Sequence, residues 1–226
     1  MKKISPLLLI AGALLCLLVS QPAEAQSPFY GEIQHFKSLD STHFPPNNAI
    51  LFVGSSSIRK WTDVQSYFPR EKVINRGFGG SELSDLVRYV NMIIIPYHPS
   101  EIVIYAGEND LAYSDTNTPR VVLRRFTTLF GQIRAALPNV PIIFISIKPS
   151  PSRERLMPQM VTSNLMIRKF LSSQKRTAFV NVYPKMLGRD GKPLQDIFLS
   201  DNLHMNAKGY HIWQKELEPY IQKFKK

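Results

Sequence analysis

Short apolar runs alternate along the chain with longer segments whose apolar residues recur at helical spacing. Five runs of four to seven residues each meet a glycine or proline within two residues of their end, which is typical of buried strands. These predicted strands cover residues 49–53, 72–75, 102–105, 141–147 and 177–182.

The segments between these runs predict helices. In the segment 82–94, for example, Leu83, Leu86 and Val90 share one helical face, and Ser81 is the expected N-cap. The predicted helices cover residues 33–39, 63–68, 82–94, 118–137, 161–171 and 206–224. Strands that alternate with helices favour one α/β domain with a mainly parallel, five-stranded sheet covered on both faces.

The first 25 residues have the pattern of a secretory leader. Two lysines precede an apolar stretch over residues 7–19, and small residues before Gln26 form a cleavage site. The apolar stretch is too short to span a bilayer easily, and no second one of membrane length follows. We therefore expect a signal peptide over residues 1–25, a single domain over residues 26–226, secretion or periplasmic localisation, and no stable membrane insertion.

Composition narrows the remaining chemistry. Cys16, the only cysteine, lies within the predicted leader, so we expect the mature chain to use neither disulfides nor thiol chemistry.

Without the leader, 26 basic and 16 acidic side chains remain, a net charge of +10. The basic residues are mostly scattered and no nucleic-acid motif accompanies them. This pattern favours a surface charge suited to an anionic cell envelope and argues against a nucleic-acid partner.

Four polar clusters are expected at one rim of the sheet, because the carboxyl ends of parallel strands meet there. The clusters are Gly54-Ser55-Ser56-Ser57, Gly77-Phe78-Gly79-Gly80, Gly107-Glu108-Asn109-Asp110 and, just before the last helix, Asp201-Asn202-Leu203-His204. Each cluster has an ordinary alternative. Serines cap helices, glycines form tight turns, Asn and Asp favour turns, and a histidine can simply lie at the surface.

Taken together, the clusters contain the parts of a serine hydrolase. A serine needs a base to become a useful nucleophile, and His204 can serve. Asp201 lies three residues upstream and can hold the tautomer of the imidazole. The backbone N–H of Gly80 and the side-chain amide of Asn109 can donate hydrogen bonds to a tetrahedral oxyanion. Four such clusters at one rim favour catalysis over four separate coincidences.

In order and spacing, the clusters resemble the conserved blocks of the SGNH hydrolase superfamily, the GDSL-type esterases and lipases. They are similar in particular to the branch around the platelet-activating-factor acetylhydrolase catalytic subunit. The resemblance spans residues 50–210 and implies a three-layer, doubly wound, flavodoxin-like fold. The residue roles that it implies are nucleophile for Ser56, base for His204, orienting residue for Asp201, and oxyanion donors for Gly80 and Asn109.

The chain departs from the family pattern at one position. Ser55 stands where the family usually has Asp. That Asp is commonly a supporting residue, so its replacement does not by itself abolish catalysis. The departure does leave Ser57, and after it Ser55, as alternative nucleophiles.

The other motifs do not indicate a competing site. The remaining histidines lack metal-ligand spacing, and the glycines of the second cluster do not complete a dinucleotide fingerprint. We therefore expect neither a metal nor an organic cofactor. Residues 148–153, a Lys-Pro-Ser-Pro-Ser-Arg segment after the fourth predicted strand, either border the pocket or form a solvated loop.

The expected function is that of a serine esterase that hydrolyses short acyl or acetyl esters of carbohydrate or lipid through an acyl-enzyme. An O-acyltransferase would use the same site, with a sugar acceptor in place of water. The rival from another class is a non-catalytic, basic binding module of the cell envelope. The serine at position 55 is the observation that lends weight to this rival.

Overall fold

The structure, a computed structural model, describes residues 28–221 and 223–224. The predicted leader over residues 1–25 and its cleavage site lie outside the described residues. The strands are β1 (Ile50–Gly54), β2 (Val73–Gly77), β3 (Glu101–Tyr105), β4 (Ile142–Ile145) and β5 (Thr177–Val180). The helices are α1 (Tyr30–Thr42), α2 (Ser56–Arg59), α3 (Val64–Tyr67), α4 (Leu83–Ile93), α5 (Glu108–Ala112), α6 (Pro119–Ala136), α7 (Met157–Ser172) and α8 (Ala207–Leu217).

All five strands are parallel and lie in the order β2-β1-β3-β4-β5. The chain therefore moves outward from β1 to β2 and then returns to the other side of β1 to form β3. Open α/β sheets bind ligands at such a switch point, outside the carboxyl ends of the strands. The prediction of a doubly wound, parallel five-stranded sheet is confirmed.

Helices cover both faces of this sheet. Every residue of β1 is buried, which explains why its sequence is continuously apolar rather than alternating. Leu51 and Val53 pack in the core that includes α4, α6 and α7. Ile50 and Phe52 pack on the opposite face, in the core that includes Trp213 of α8. The result is the expected three-layer arrangement.

The predicted N-cap of α4 is wrong by one residue. Glu82 is the N-cap, and its backbone N–H donates to the Asp85 carboxylate at 2.9 Å. The Ser81 hydroxyl donates instead to the carbonyl of Phe78, at 3.1 Å. Ser81 is therefore used to close the glycine-rich turn that precedes the helix.

Three helices also differ in length from the expectation, and α7 begins at Met157 instead of residue 161. α8 ends at Leu217 instead of continuing to residue 224, because Pro219 has no backbone N–H to donate to the carbonyl one turn earlier. α1 is longer than the predicted segment 33–39. Its second half is fixed by an ion pair between Asp40 and Arg76 of β2, a contact that a local pattern cannot reveal.

Candidate active site

Ser56 is the first residue of α2 and follows β1 through a tight turn. Gly54 adopts a φ of +146°, and a Cβ at this position would collide with the Tyr105 carbonyl of β3. The backbone N–H of Ser55 donates to the same carbonyl at 3.0 Å. The close approach of β1 and β3 therefore requires glycine, and it presents Ser56 at the carboxyl end of the sheet.

His204 reaches Ser56 from the loop that precedes α8. Its Nε2 lies 3.0 Å from Ser56 Oγ, and its Nδ1 lies 2.6 Å from Asp201 Oδ2. A carboxylate only accepts hydrogen bonds, so the proton resides on Nδ1 and Nε2 is left to accept the Ser56 hydroxyl. This is the tautomer that a general base requires.

The Asp201 carboxylate is also held by the backbone of its own loop. Its Oδ1 accepts the N–H groups of Leu203 at 3.0 Å and His204 at 2.9 Å. Desolvation by burial acts to raise the pKa of Asp201, but hydrogen bonds from His204 and Leu203 outweigh it and hold that pKa well below its usual range. The carboxylate therefore remains ionised at neutral pH.

Of the three neighbouring serines, Ser56 is the one whose hydroxyl faces His204. Ser55 and Ser57 are each only 2% exposed. The carbonyl of Ser57 accepts the Tyr210 hydroxyl at 2.9 Å, which ties α2 to α8. The geometry thus favours the middle serine over the two alternatives that the sequence left open.

Asn109 and Gly80 lie at the ends of the two strands that flank β1. Asn109 Nδ2 donates to the Ser81 carbonyl at 3.0 Å, which fixes the amide against the glycine-rich turn. A side-chain amide carries two N–H groups, so this bond leaves one for a ligand. Gly80 adopts a φ of +78° next to Ser81. The structure therefore brings the two expected oxyanion donors together through the backbone of Ser81.

Asp110, in the same cluster as Asn109, contacts the scaffold. Its fully buried carboxylate accepts the backbone N–H of Leu83 at 3.0 Å and pairs with Arg125 at 2.7 Å. Burial raises the pKa of Asp110, and the hydrogen bond from Arg125 acts against that rise. Asp110 thus fastens α5 to the start of α4 and to α6.

Glu32 of α1 is a residue near the site that sequence reasoning missed. Its Oε2 accepts the backbone N–H of Gly79 at 3.3 Å and lies 3.2 Å from Arg59 Nε of α2. A Cβ at Gly79 would collide with the Arg59 guanidinium. Glu32 therefore joins the glycine-rich turn to α2. Nothing local to the sequence around α1 indicates this contact.

Residues 148–153 begin inside the protein. Lys148 and Ser150 are fully buried, and Lys148 Nζ lies within 3.0 Å of both carboxylate oxygens of Glu108. The alternative of a solvated proline-rich loop is therefore wrong for these two residues. In the sequence Glu108 is only one member of the third cluster, and no local pattern indicates that its carboxylate pairs with Lys148.

Among the described residues there is neither a metal-binding cluster nor a membrane-spanning helix. Residues 28–221 and 223–224 contain no group of three or more His, Cys, Asp or Glu side chains arranged to hold a metal ion. No helix in the same part of the chain is both long enough and apolar enough to cross a bilayer.

Comparison with known proteins identifies relatives of this fold and site. The model of the GDSL-like lipase/acylhydrolase family matches residues 53–212, which include all four polar clusters. No curated protein sequence matches the chain significantly.

Solved structures match over most of the chain. A GDSL-like lipase from Bacteroides thetaiotaomicron superposes with a TM-score of 0.73 at 20% identity, covering 84% of this chain and 97% of that one. A Streptococcus pneumonia protein, described provisionally as a platelet activating factor, gives 0.74 at 22% identity and covers 84% and 92%. An acetyl-xylooligosaccharide esterase from Geobacillus Stearmophilus gives 0.59 at 16% identity and covers 76% and 94%. At these identities the likeness establishes a shared fold.

Proposed function

Because the chain belongs to the GDSL-like lipase/acylhydrolase family and is a carboxylic ester hydrolase, we propose that it is a serine esterase acting through Ser56, His204 and Asp201. The observation that carries the proposal is the continuous hydrogen-bonded chain from Ser56 Oγ to the imidazole at 3.0 Å and from the imidazole to the carboxylate at 2.6 Å. Membership of a hydrolase family sets aside the rival of a non-catalytic binding module.

The first half of the proposed reaction forms an acyl-enzyme. Ser56 Oγ attacks the ester carbonyl carbon while His204 Nε2 takes the hydroxyl proton. The negative charge that develops on the carbonyl oxygen is stabilised by the free amide N–H of Asn109 and the backbone N–H of Gly80. His204 then gives its proton to the leaving alcohol oxygen as the carbon–oxygen bond breaks.

The second half releases the acid. A water molecule attacks the acyl carbon while His204 takes one of its protons, and the bond between that carbon and Ser56 Oγ breaks as the proton returns to the serine. Asp201 remains ionised throughout and stabilises the imidazolium that forms in each half. Each step balances without a metal or an organic cofactor.

For the substrate we propose short acyl esters of a carbohydrate or lipid alcohol. The His204 side chain is 16% exposed and that of Asp201 is 45% exposed, so the loop that carries the base is open to solvent. A Cβ at Gly80 would lie 3.3 Å from the Tyr113 hydroxyl, so this side chain narrows the space beside the proposed oxyanion donors. Such a restriction favours a small acyl group.

For the location we propose the periplasm or the medium. The proposal rests on the leader pattern over residues 1–25. Mass spectrometry of the protein from its native envelope fraction tests it, since a mature chain that begins at Gln26 is the expected result. A full-length chain recovered from the cytosol would contradict it.

The experiment that tests the proposed function compares two serine variants on p-nitrophenyl acetate. We expect Ser56→Ala to lose turnover, because the attacking oxygen is removed. Ser57→Ala is the matched control, because Ser57 is the neighbouring residue and its side chain is buried. This variant should keep most of the parental activity. Full activity in Ser56→Ala would overturn the assignment of the nucleophile.

A further inference from the structure

A buried ion pair lies behind the site, and the reaction above does not use it. Lys148 follows β4 and is 0% exposed, while Glu108 begins α5 and is 4% exposed. Lys148 Nζ lies 3.0 Å from Oε1 and 2.9 Å from Oε2 of Glu108. The Tyr105 hydroxyl donates to the same carboxylate at 2.5 Å. Both carboxylate oxygens are therefore occupied by strong donors.

The pair is charged on both sides. Desolvation acts to raise the pKa of Glu108, but the charges of Lys148 and of Arg153, whose Nη1 lies 3.6 Å from Oε1, outweigh it and lower that pKa. Burial lowers the pKa of Lys148, and the charge of Glu108 acts in the opposite direction. A buried charge pair of this kind stabilises a fold little more than apolar residues of the same volume would. Its presence next to a reactive site therefore calls for a reason other than stability.

On one side the pair is connected to the proposed oxyanion site. Glu108 immediately precedes Asn109 in α5, a helix of only five residues. Gly107 is the N-cap of this helix, and its φ of +106° sets the direction of the helix. Because the helix is so short, an anchor on the Glu108 side chain restricts the orientation of the neighbouring amide as well.

On the other side the pair is connected to the loop 199–204, which carries the proposed base. Lys148 Nζ lies 5.7 Å from the ring centroid of Phe198, and Phe198 pairs with Met205 in an antiparallel bridge that closes this loop. Farther along the same segment, the backbone N–H of Ser152 donates to the carbonyl of Asn202 at 3.1 Å. The segment 148–153 therefore contacts both halves of the site.

We propose that Lys148 is a positioning residue for the esterase reaction. Its ion pair with Glu108 holds α5, and with it the Asn109 amide, in a fixed relation to the loop of Asp201 and His204. The inference rests on the proposed function, because it assigns a supporting role within that same site. A displacement of about 1 Å at the reacting groups is enough to slow an enzyme by two orders of magnitude.

The test uses the neutral double variant Glu108→Gln/Lys148→Met. The single variant Lys148→Met leaves a buried carboxylate short of a partner, so it is expected to lose both stability and kcat. The double variant removes both charges of the pair and leaves Arg153, whose side chain is 13% exposed, beside a neutral amide, so its melting temperature should recover in part relative to the single variant. Its kcat on p-nitrophenyl acetate should nevertheless stay about tenfold or more below that of the parent, with KM within about twofold.

Arg134→Met is the control for stability alone. Arg134 lies at the opposite rim, where it donates to the carbonyls of Lys175 and Arg176, and its loss should lower the melting temperature without changing kcat. Where Lys148→Met fails to fold, the double variant still gives the kcat measurement. Parental kcat in the double variant would overturn the positioning role. Activity that persists in Ser56→Ala would instead overturn the proposed function, so the two failures are distinguishable.

Discussion

His204 Nε2 lies 3.0 Å from Ser56 Oγ, although 148 positions separate the two residues in the chain. The turn after β1 carries the serine and the loop before α8 carries the histidine, and the parallel sheet brings the two segments to one rim. Because Asp201 occupies the other ring nitrogen, the imidazole faces the serine with its unprotonated atom. The proposed chemistry follows from this orientation.

The first prediction concerns the acid side of the pH profile. The pKa of Asp201 lies well below its usual range, so this carboxylate keeps its charge down to about pH 4. Protonation of Asp201 therefore does not contribute to the loss of activity above that pH. We expect log kcat/KM for p-nitrophenyl acetate to fall with a slope of about one as the pH decreases.

The lowered pKa of Asp201 also determines how this residue's contribution to the free energy of unfolding depends on pH. A carboxyl group whose pKa is depressed by folding stabilises the native state above its unfolded pKa and loses that contribution as the pH falls toward the folded value. The stabilising contribution of Asp201 to the free energy of unfolding should therefore stay constant between about pH 5 and pH 8. A slope near two in the rate profile above about pH 4 would contradict the depressed pKa of Asp201, since it would mean that this carboxyl group is protonated in the same range as a second group.

The second prediction concerns the oxyanion. Asn109→Ala removes the free amide N–H and should lower kcat about 10²- to 10³-fold while KM changes little. Asn109→Asp has nearly the same shape but lacks the donor, so it should lose at least as much. Steady-state kinetics on folded protein, checked by circular dichroism, gives the answer. Parental kcat in both variants would remove Asn109 from the oxyanion site.

The third prediction concerns acyl-chain length. Tyr113 is 57% exposed, and its hydroxyl lies beside Gly80. Tyr113→Ala should raise kcat/KM for p-nitrophenyl hexanoate relative to the acetate by roughly tenfold, because it opens the space for the acyl group. Phe44→Ala, which truncates an exposed ring stacked on Tyr97, should leave this ratio unchanged. An unaltered ratio in Tyr113→Ala would show that this side chain does not border the acyl group.

The fourth prediction concerns stability. Asp110→Ala leaves the Leu83 N–H unpaired and deprives Arg125 of a buried partner, so the free energy of unfolding should fall by about 3 kcal/mol. Urea unfolding at neutral pH measures the loss. Asp115→Ala is the control, because its ion pair with Arg155 is exposed on both sides and its removal should not move the midpoint. Equal midpoints for the two variants would contradict the structural role of Asp110.

Much of the architecture could be predicted from the sequence because its determinants are local. β1 and β4 are continuous apolar runs, and a glycine or proline follows each predicted strand within two residues. The family motifs indicate Ser56, Asp201 and His204 as site residues, and the structure brings these three side chains together. Their catalytic roles stay predictions until variants are measured. The end of α8 is also encoded locally, because Pro219 cannot donate a helical hydrogen bond.

What the sequence could not reveal depends on pairs of residues far apart in the chain. Lys148 lies in a proline- and serine-rich segment that looks like a surface loop, and lysine is seldom buried. It is buried because Glu108, 40 positions away, neutralises it. Glu32 and Gly79 are similarly 47 positions apart. No periodicity or motif reports such contacts, which arise only once the sheet has formed.

The central claim is that Ser56 is an activated nucleophile, and covalent labelling tests it most directly. The protein is treated with an active-site-directed fluorophosphonate and then digested. Mass spectrometry of the modified peptide identifies the labelled residue. We predict one phosphonylated residue, Ser56, with loss of esterase activity in proportion to labelling and no labelling in Ser56→Ala. An adduct on Ser55 or Ser57, or full esterase activity in protein with a labelled Ser56, would contradict the account.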